Sequence, residues 1–235
     1  MFNRLFPNKI LSLNNKFFIH LIFLMICVIG VGLIYALLIS PPDSVQGNSV
    51  RIMYIHVPAS FISISCYAFM GLISILSIVF KIKILPFVAK SIAPVGFVFA
   101  LVSIFSGSLW GKPTWGVWWA WDARLTSMLI LNLLYIFYIL SWKLIKEFEN
   151  ANKVSSFIAI IGLLNIPIIK YSVDWWNTLH QTSSITLNSA PTIHYTMLIP
   201  LLIMFFGLII YSLIVILMKY KIEILKLKLK KNKIY

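Results

Sequence analysis

The chain has 235 residues, of which 60% are hydrophobic and only 11% charged, with a mean hydropathy of +0.94. A soluble domain needs roughly a quarter of its residues charged to cover its surface, so that class is excluded. A net charge of +14 would suggest nucleic acid in a soluble protein, but here the lysines fall where membrane topology puts them.

Six apolar segments follow in chain order, over about 17–39, 57–80, 85–109, 123–142, 154–172 and 195–218. Each has the length of a helix that crosses a ~30 Å hydrocarbon core, not of a ~10-residue barrel strand. The expectation is an all-α membrane protein of six transmembrane helices, a single membrane-embedded domain over 1–235. The first segment is too long for the apolar part of a cleaved signal peptide, and no clear cleavage motif follows it, so it is expected to remain as a helix. Pro58 suits a helix start, while Pro94 and Pro167 are expected to kink their helices. Cys27 and Cys66 sit in apolar runs outside any CxxC or metal-ligand spacing and read as packing residues. The chain contains no CxxCH, the motif that holds haem through thioethers.

Lysine and arginine in the short loops set the orientation. With both termini on the cytoplasmic or matrix side, that side carries 15 basic residues: Arg4, Lys9, Lys16, Lys81, Lys83, Lys143, Lys146, Lys153 and lysines 219, 221, 226, 228, 230, 231 and 233. The opposite side carries 4, namely Arg51, Lys112, Arg124 and Lys170. The basic tail over 219–235 reads as a stop-transfer segment resting on anionic lipid. Lys90, near a segment end, can snorkel.

Three loops, about 40–56, 110–123 and 173–194, then share the outer side. Of eight tryptophans, Trp110, Trp115, Trp118, Trp119 and Trp121 lie in the second loop and Trp175 and Trp176 in the third; only Trp142 is on the inner side. A general aromatic belt would populate both interfaces. If the centre of the second loop is helical, Trp115, Trp118, Trp119 and Asp122 share one face. Such a helix could anchor the chain at the interface, or form a flat aromatic platform for a large planar ligand; composition leaves both open.

Of four histidines, His20 lies near the inner end of the first span without polar company, as a structural residue would. His56, His180 and His194 all fall on the outer side. Neutral imidazole is the common nitrogen ligand of haem iron, and two histidines beside an indole-rich surface would suit one haem. Arg51 and Arg124, the arginines on this side, are suited to bidentate carboxylate binding and hence to haem propionates. Asp122 either orients Arg124 or is its salt-bridge partner. A b-type cytochrome would need histidine pairs at two depths, and His20 has no partner. A secondary transporter would show midplane ionisable residues and internal repeats, and neither is evident.

These residues carry a specific resemblance. The run WGKPTWGVWWAWDARLTS, with its WWD signature over 110–127, resembles the CcmC family of haem-handling proteins of System I cytochrome c maturation. MYIHVPAS around His56 and YSVDWWNTLHQ around His180 are similar to that family's other outer-face blocks, in the same order. The resemblance covers nearly the whole chain and is weakest in the first 17 residues and the tail. It implies a non-enzymatic protein that binds haem b as transient cargo on the periplasmic or intermembrane-space side of an inner membrane. It implies delivery to the haem chaperone CcmE, with CcmA, CcmB and CcmD as partners. By motif it selects His56 and His180, rather than His194, as axial ligands. It assigns Trp115, Trp118, Trp119, Trp121 and Asp122 to the haem platform, and Arg51 and Arg124 to the propionates.

Overall fold

A computed structural model describes residues 11–176, 178–180 and 190–232. Arg4, Lys9 and Lys233 of the charge asymmetry, and positions 181–189 of the third loop, lie outside the described residues. Among those described, the regular structure is helical: α1 (Asn15–Ile34, continued by a π-helical turn over Tyr35–Ile39), a 3-10 turn (Asn48–Ile52), α2 (Met53–Phe80), α3 (Leu85–Trp115), α4 (Ala123–Leu144), α5 (Phe148–Leu163), α6 (Asn165–Trp175) and α7 (Tyr195–Asn232). Among the described residues six stretches are long and apolar enough to cross a membrane, with α5 and α6 together forming the fifth. The six expected segments are therefore all present.

The boundaries differ in instructive places. Pro58 is not at a helix start but in the second turn of α2, and Pro94 lies within an unbroken α3. Pro167 does what proline chemistry requires: it offers no N–H to the Leu163 carbonyl, and the helix breaks at Leu164. Asn165 occupies that break and donates from Nδ2 to the Ser127 carbonyl at 2.8 Å, tying α6 to α4.

The core is the bundle of α2, α3, α4 and α5, with α2 and α3 the most extensively paired. α7 packs on α2 and α3, and α1 sits outermost against α7. Helices in lipid gain no hydrophobic drive toward one another, so close approach and hydrogen bonding decide their contacts. Tyr135 and Tyr67, both 0% exposed, meet edge to face at 4.9 Å in the centre. Their hydroxyls donate to the carbonyls of Ser63 (2.7 Å) and Ile158 (3.0 Å), which joins α4 to α2 and α2 to α5. Glycines 96 and 162 leave the space those hydroxyls occupy.

The tail is more than a basic surface segment. α7 runs on to Asn232 and buries Tyr220 and Ile224. Its Glu223 accepts from Lys90 Nζ at 2.7 Å and from Lys226 Nζ at 3.1 Å. Lys90 is thus an ion-pair partner rather than a snorkelling residue. Glu223→Gln should lower stability in detergent by roughly 1 kcal/mol, the scale of a half-exposed pair, read from the unfolding midpoint. A midpoint independent of the substitution would show that the pair contributes nothing.

Candidate functional site

At the tryptophan-rich end of the bundle, four segments converge: the turn before α2, the first turns of α2, the end of α3 with the α3–α4 loop, and the chain after α6. Asp43 starts a tight turn by accepting from the backbone N–H groups of Val45 (2.9 Å) and Gln46 (2.8 Å). Gly47, at φ 57°, closes it in the left-handed region where glycine is unpenalised. Gln46 then accepts from Trp110 Nε1 at 2.8 Å, which fastens this turn to α3. Beneath it lies a small apolar cluster of Val50, Met53, Tyr54, Ala36, Leu201 and Met204.

α3 extends through Trp115 and stops at Gly116, φ 78°, the left-handed C-cap. The helix that would put Trp115, Trp118, Trp119 and Asp122 on one face is not formed. Residues 116–122 are irregular until Asp122 caps α4 by accepting from Leu125 N–H at 2.8 Å. Gly116 and the need for an N-cap at Asp122 outweigh the i, i+3, i+4 pattern of the indoles.

Consequently the tryptophans do not form one flat platform. Trp115 meets the His180 ring edge to face at 4.8 Å, and Trp119 meets Trp121 at 5.5 Å and 79°. Trp118 and Trp121 are 56% and 76% exposed, and Lys112 Nζ lies 6.0 Å from the Trp118 ring. Trp119 is half-buried, with a buried Nε1 that has no acceptor among the described residues; the buried Nε of Arg51 likewise has none among them.

The two histidines are held differently. His56 is on α2, its ring edge to face with Trp110 at 5.7 Å and its Nδ1 3.0 Å from Ser106 Oγ on α3. His180 lies in irregular chain after α6, with Nδ1 3.2 Å from Asp122 Oδ2. The same carboxylate oxygen accepts from Leu179 N–H at 3.3 Å. Asp122 therefore spans two jobs, capping α4 with one oxygen and holding the His180 segment with the other. Its hydrogen-bond partner is His180, while Arg124 lies within its electrostatic reach.

A carboxylate only accepts, so the His180 proton sits on Nδ1 and Nε2 is left as the free lone pair. Burial holds the His180 pKa below its ordinary value, against the opposing pull of Asp122, so at neutral pH the ring is uncharged. His56, His180 and Arg124 are within electrostatic reach of one another, and Arg124 also faces Asp122 and Asp174. His194 makes local contacts instead: its carbonyl accepts from Met197 and Leu198 N–H at the start of α7, and its exposed ring bonds Thr196 Oγ1 at 2.8 Å.

The site thus gathers His56, His180, Asp122, Arg124 and Trp115 around two imidazoles, with Arg51 and Trp119 offering buried donors that are unpaired among the described residues. Sequence reasoning did not single out Trp110, Gln46, Ser106 or Gly107 as part of it. Trp110 at least carried a signal, as the first residue of the tryptophan run; a lone serine and glycine in a spanning helix carry none.

Comparison with known proteins bears on what such a site serves. The family model described as CcmC, heme exporter protein C, matches residues 2–235. The heme exporter protein C of Haemophilus influenzae is 39% identical over 204 residues, 87% of this chain and 83% of the relative. That of Escherichia coli K12 is 38% identical over 215 residues, 92% of this chain and 86% of the relative. A ccmC-like mitochondrial protein of Marchantia polymorpha is 43% identical over 167 residues, 71% of this chain and 70% of the relative.

Proposed function

Because the chain belongs to the heme exporter protein C (CcmC) family, we propose that it binds haem between His56 and His180 and delivers it to the haem chaperone CcmE for cytochrome c maturation. Its broader role is haem handling in that pathway. It acts as a binder and donor of cargo and not as an enzyme, with haem b as the cargo and CcmA, CcmB and CcmD as further partners. Fifteen basic residues against four favour both termini on the cytoplasmic or matrix side. The site then faces the periplasm or the intermembrane space.

The observation that carries this reading is the pair of imidazoles with oriented Nδ1. An axial ligand needs a neutral ring with a free Nε2 and its other nitrogen fixed by an acceptor. Asp122 supports that state at His180 and Ser106 at His56. The cargo's two carboxylates suit the buried donors of Arg51 and Trp119, which lack acceptors among the described residues, and the charge of Arg124. Exposed indoles of Trp118, Trp121, Trp175 and Trp176 supply apolar surface beside it.

The test is co-expression with tagged CcmE and capture through the tag. The expected outcome is haem-dependent co-purification of this chain with a bis-histidine spectrum, lost in haem-depleted cells. Capture at the same level with and without haem would sink delivery as the function.

Asp122→Asn separates cap from ligand support. Asparagine caps a helix as well as aspartate, but one amide oxygen cannot serve both Leu125 N–H and His180 Nδ1–H. Facing the amide NH2, His180 would move its proton to Nε2 and lose the free lone pair. Haem affinity should fall about tenfold or more, with the unfolding midpoint little changed. Unchanged affinity would remove Asp122 from this role.

A further inference from the structure

On the reading that His56 is a ligand, we propose that Ser106 is the residue that positions it, fixing the ring with Nε2 turned toward the cargo. The hydroxyl has one proton, and it is committed within α3: Ser106 Oγ donates to the Val102 carbonyl at 2.6 Å, four residues back. Its contact with His56 Nδ1 at 3.0 Å must then run the other way, with Nδ1–H donating to Oγ. That places the histidine proton on Nδ1 and leaves Nε2, which has no hydrogen bond among the described residues, as the lone pair. Ser106 is itself buried, so water does not compete for the contact.

The surroundings restrict the ring to this pose. A Cβ on Gly107 would lie 3.0 Å from His56 Cε1, so the glycine leaves the space that the ring edge fills. Trp110, one turn on from Ser106, closes another side. Ser103, one turn before, brings its carbonyl beside the same ring, and its hydroxyl meets Ser60 Oγ at 2.5 Å. Ser60 in turn donates to the His56 carbonyl at 2.8 Å. Ser106, Gly107 and Trp110 thus form one face of α3 shaped to a single histidine on α2. An acceptor on Nδ1–H also raises the basicity of Nε2, so the serine tunes the ligand as well as aiming it.

The test uses the full chain purified in detergent, with haem affinity by titration, the absorption spectrum and the reduction potential. In Ser106→Ala the expected result is about tenfold weaker haem binding, partial loss of the low-spin spectrum and a higher potential, because a less basic imidazole stabilises ferric iron less. Two isosteric variants separate hydrogen bonding from packing: Ser106→Thr should restore the potential, and Ser106→Val should not. Ser91→Ala, buried on the same helix and bonded to the Phe87 carbonyl four residues back, should leave the potential unchanged. Wild-type affinity and potential in both Ser106→Ala and Ser106→Val, with haem lost in His56→Ala, would overturn the serine's role. Haem retained in His56→Ala would instead overturn the ligand reading beneath it.

Discussion

His56→Ala and His180→Ala should each strip haem from the purified protein, by more than the roughly 10–100-fold typical of losing an outer-shell partner. Iron held by two imidazoles loses half of its protein coordination when one is removed, and the bis-histidine spectrum must disappear with it. The two variants should nonetheless respond differently to added imidazole. His56 leaves a walled space when truncated, between Ser106, Gly107 and Trp110 on a rigid helix pair. A free imidazole can occupy that space and find the same acceptor. His180 is carried on irregular chain and held through Asp122, so its removal leaves less of a pocket and weaker rescue is expected. His194→Ala and His20→Ala should keep full haem content, since His194 bonds Thr196 and His20 bonds the Lys16 carbonyl. Haem quantified per mole of protein, with spectra in both redox states, checks the set. Wild-type retention in both the His56 and His180 variants would end the ligand assignment.

The bundle was legible because lipid imposes a simple rule: a spanning segment must be long, apolar and helical. That rule found all six spans but was blind to their ends. α3 continues from Leu109 to Trp115 because tryptophan and lysine are tolerated at an interface, so hydropathy falls before the helix does. The break at Leu164 was visible only as Pro167, while Pro94 and Pro200 sit within continuous helices. For proline in lipid, composition cannot say whether neighbours will re-satisfy the freed carbonyl.

The site was partly legible for a different reason. Histidine and tryptophan are rare in spanning helices, so their clustering on one side is a signal in itself. Their geometry was not, since the i, i+3, i+4 spacing from Trp115 to Asp122 suggested a shared helical face that Gly116 and the Asp122 cap prevent. Asp122 illustrates the limit well. Two residues from Arg124, it reads as that arginine's partner, yet it bonds His180, 58 positions away. Only a long-range contact reveals such a role, and spacing holds no information about it.

Gly96→Ala should unfold the protein more readily than any substitution at the site. A Cβ there would lie 2.0 Å from the Tyr135 hydroxyl and 2.4 Å from Cζ, so the tyrosine must move. Tyr135 is fully buried in the centre of the bundle, and its hydroxyl is satisfied by the Ser63 carbonyl at 2.7 Å. Displacing it combines overpacking, about 1–3 kcal/mol, with a buried hydroxyl left unpaired, about 1–3 kcal/mol more. That sum is a large share of the roughly 5–15 kcal/mol that holds a typical protein folded. Gly162→Ala should behave alike, because Tyr67 approaches that position at 2.1 Å. Gly30→Ala is the control: nothing lies within 4 Å of its Cβ, and alanine is the better helix former. Haem content follows from the same geometry, since Tyr135 ties α4 to α2, and α2 carries His56 while Asp122 caps α4. In Gly96→Ala haem loss should track unfolding across a denaturant series, whereas in His56→Ala haem is lost from folded protein. Equal unfolding midpoints for Gly96→Ala and Gly30→Ala would show that the bundle yields at Tyr135 without cost.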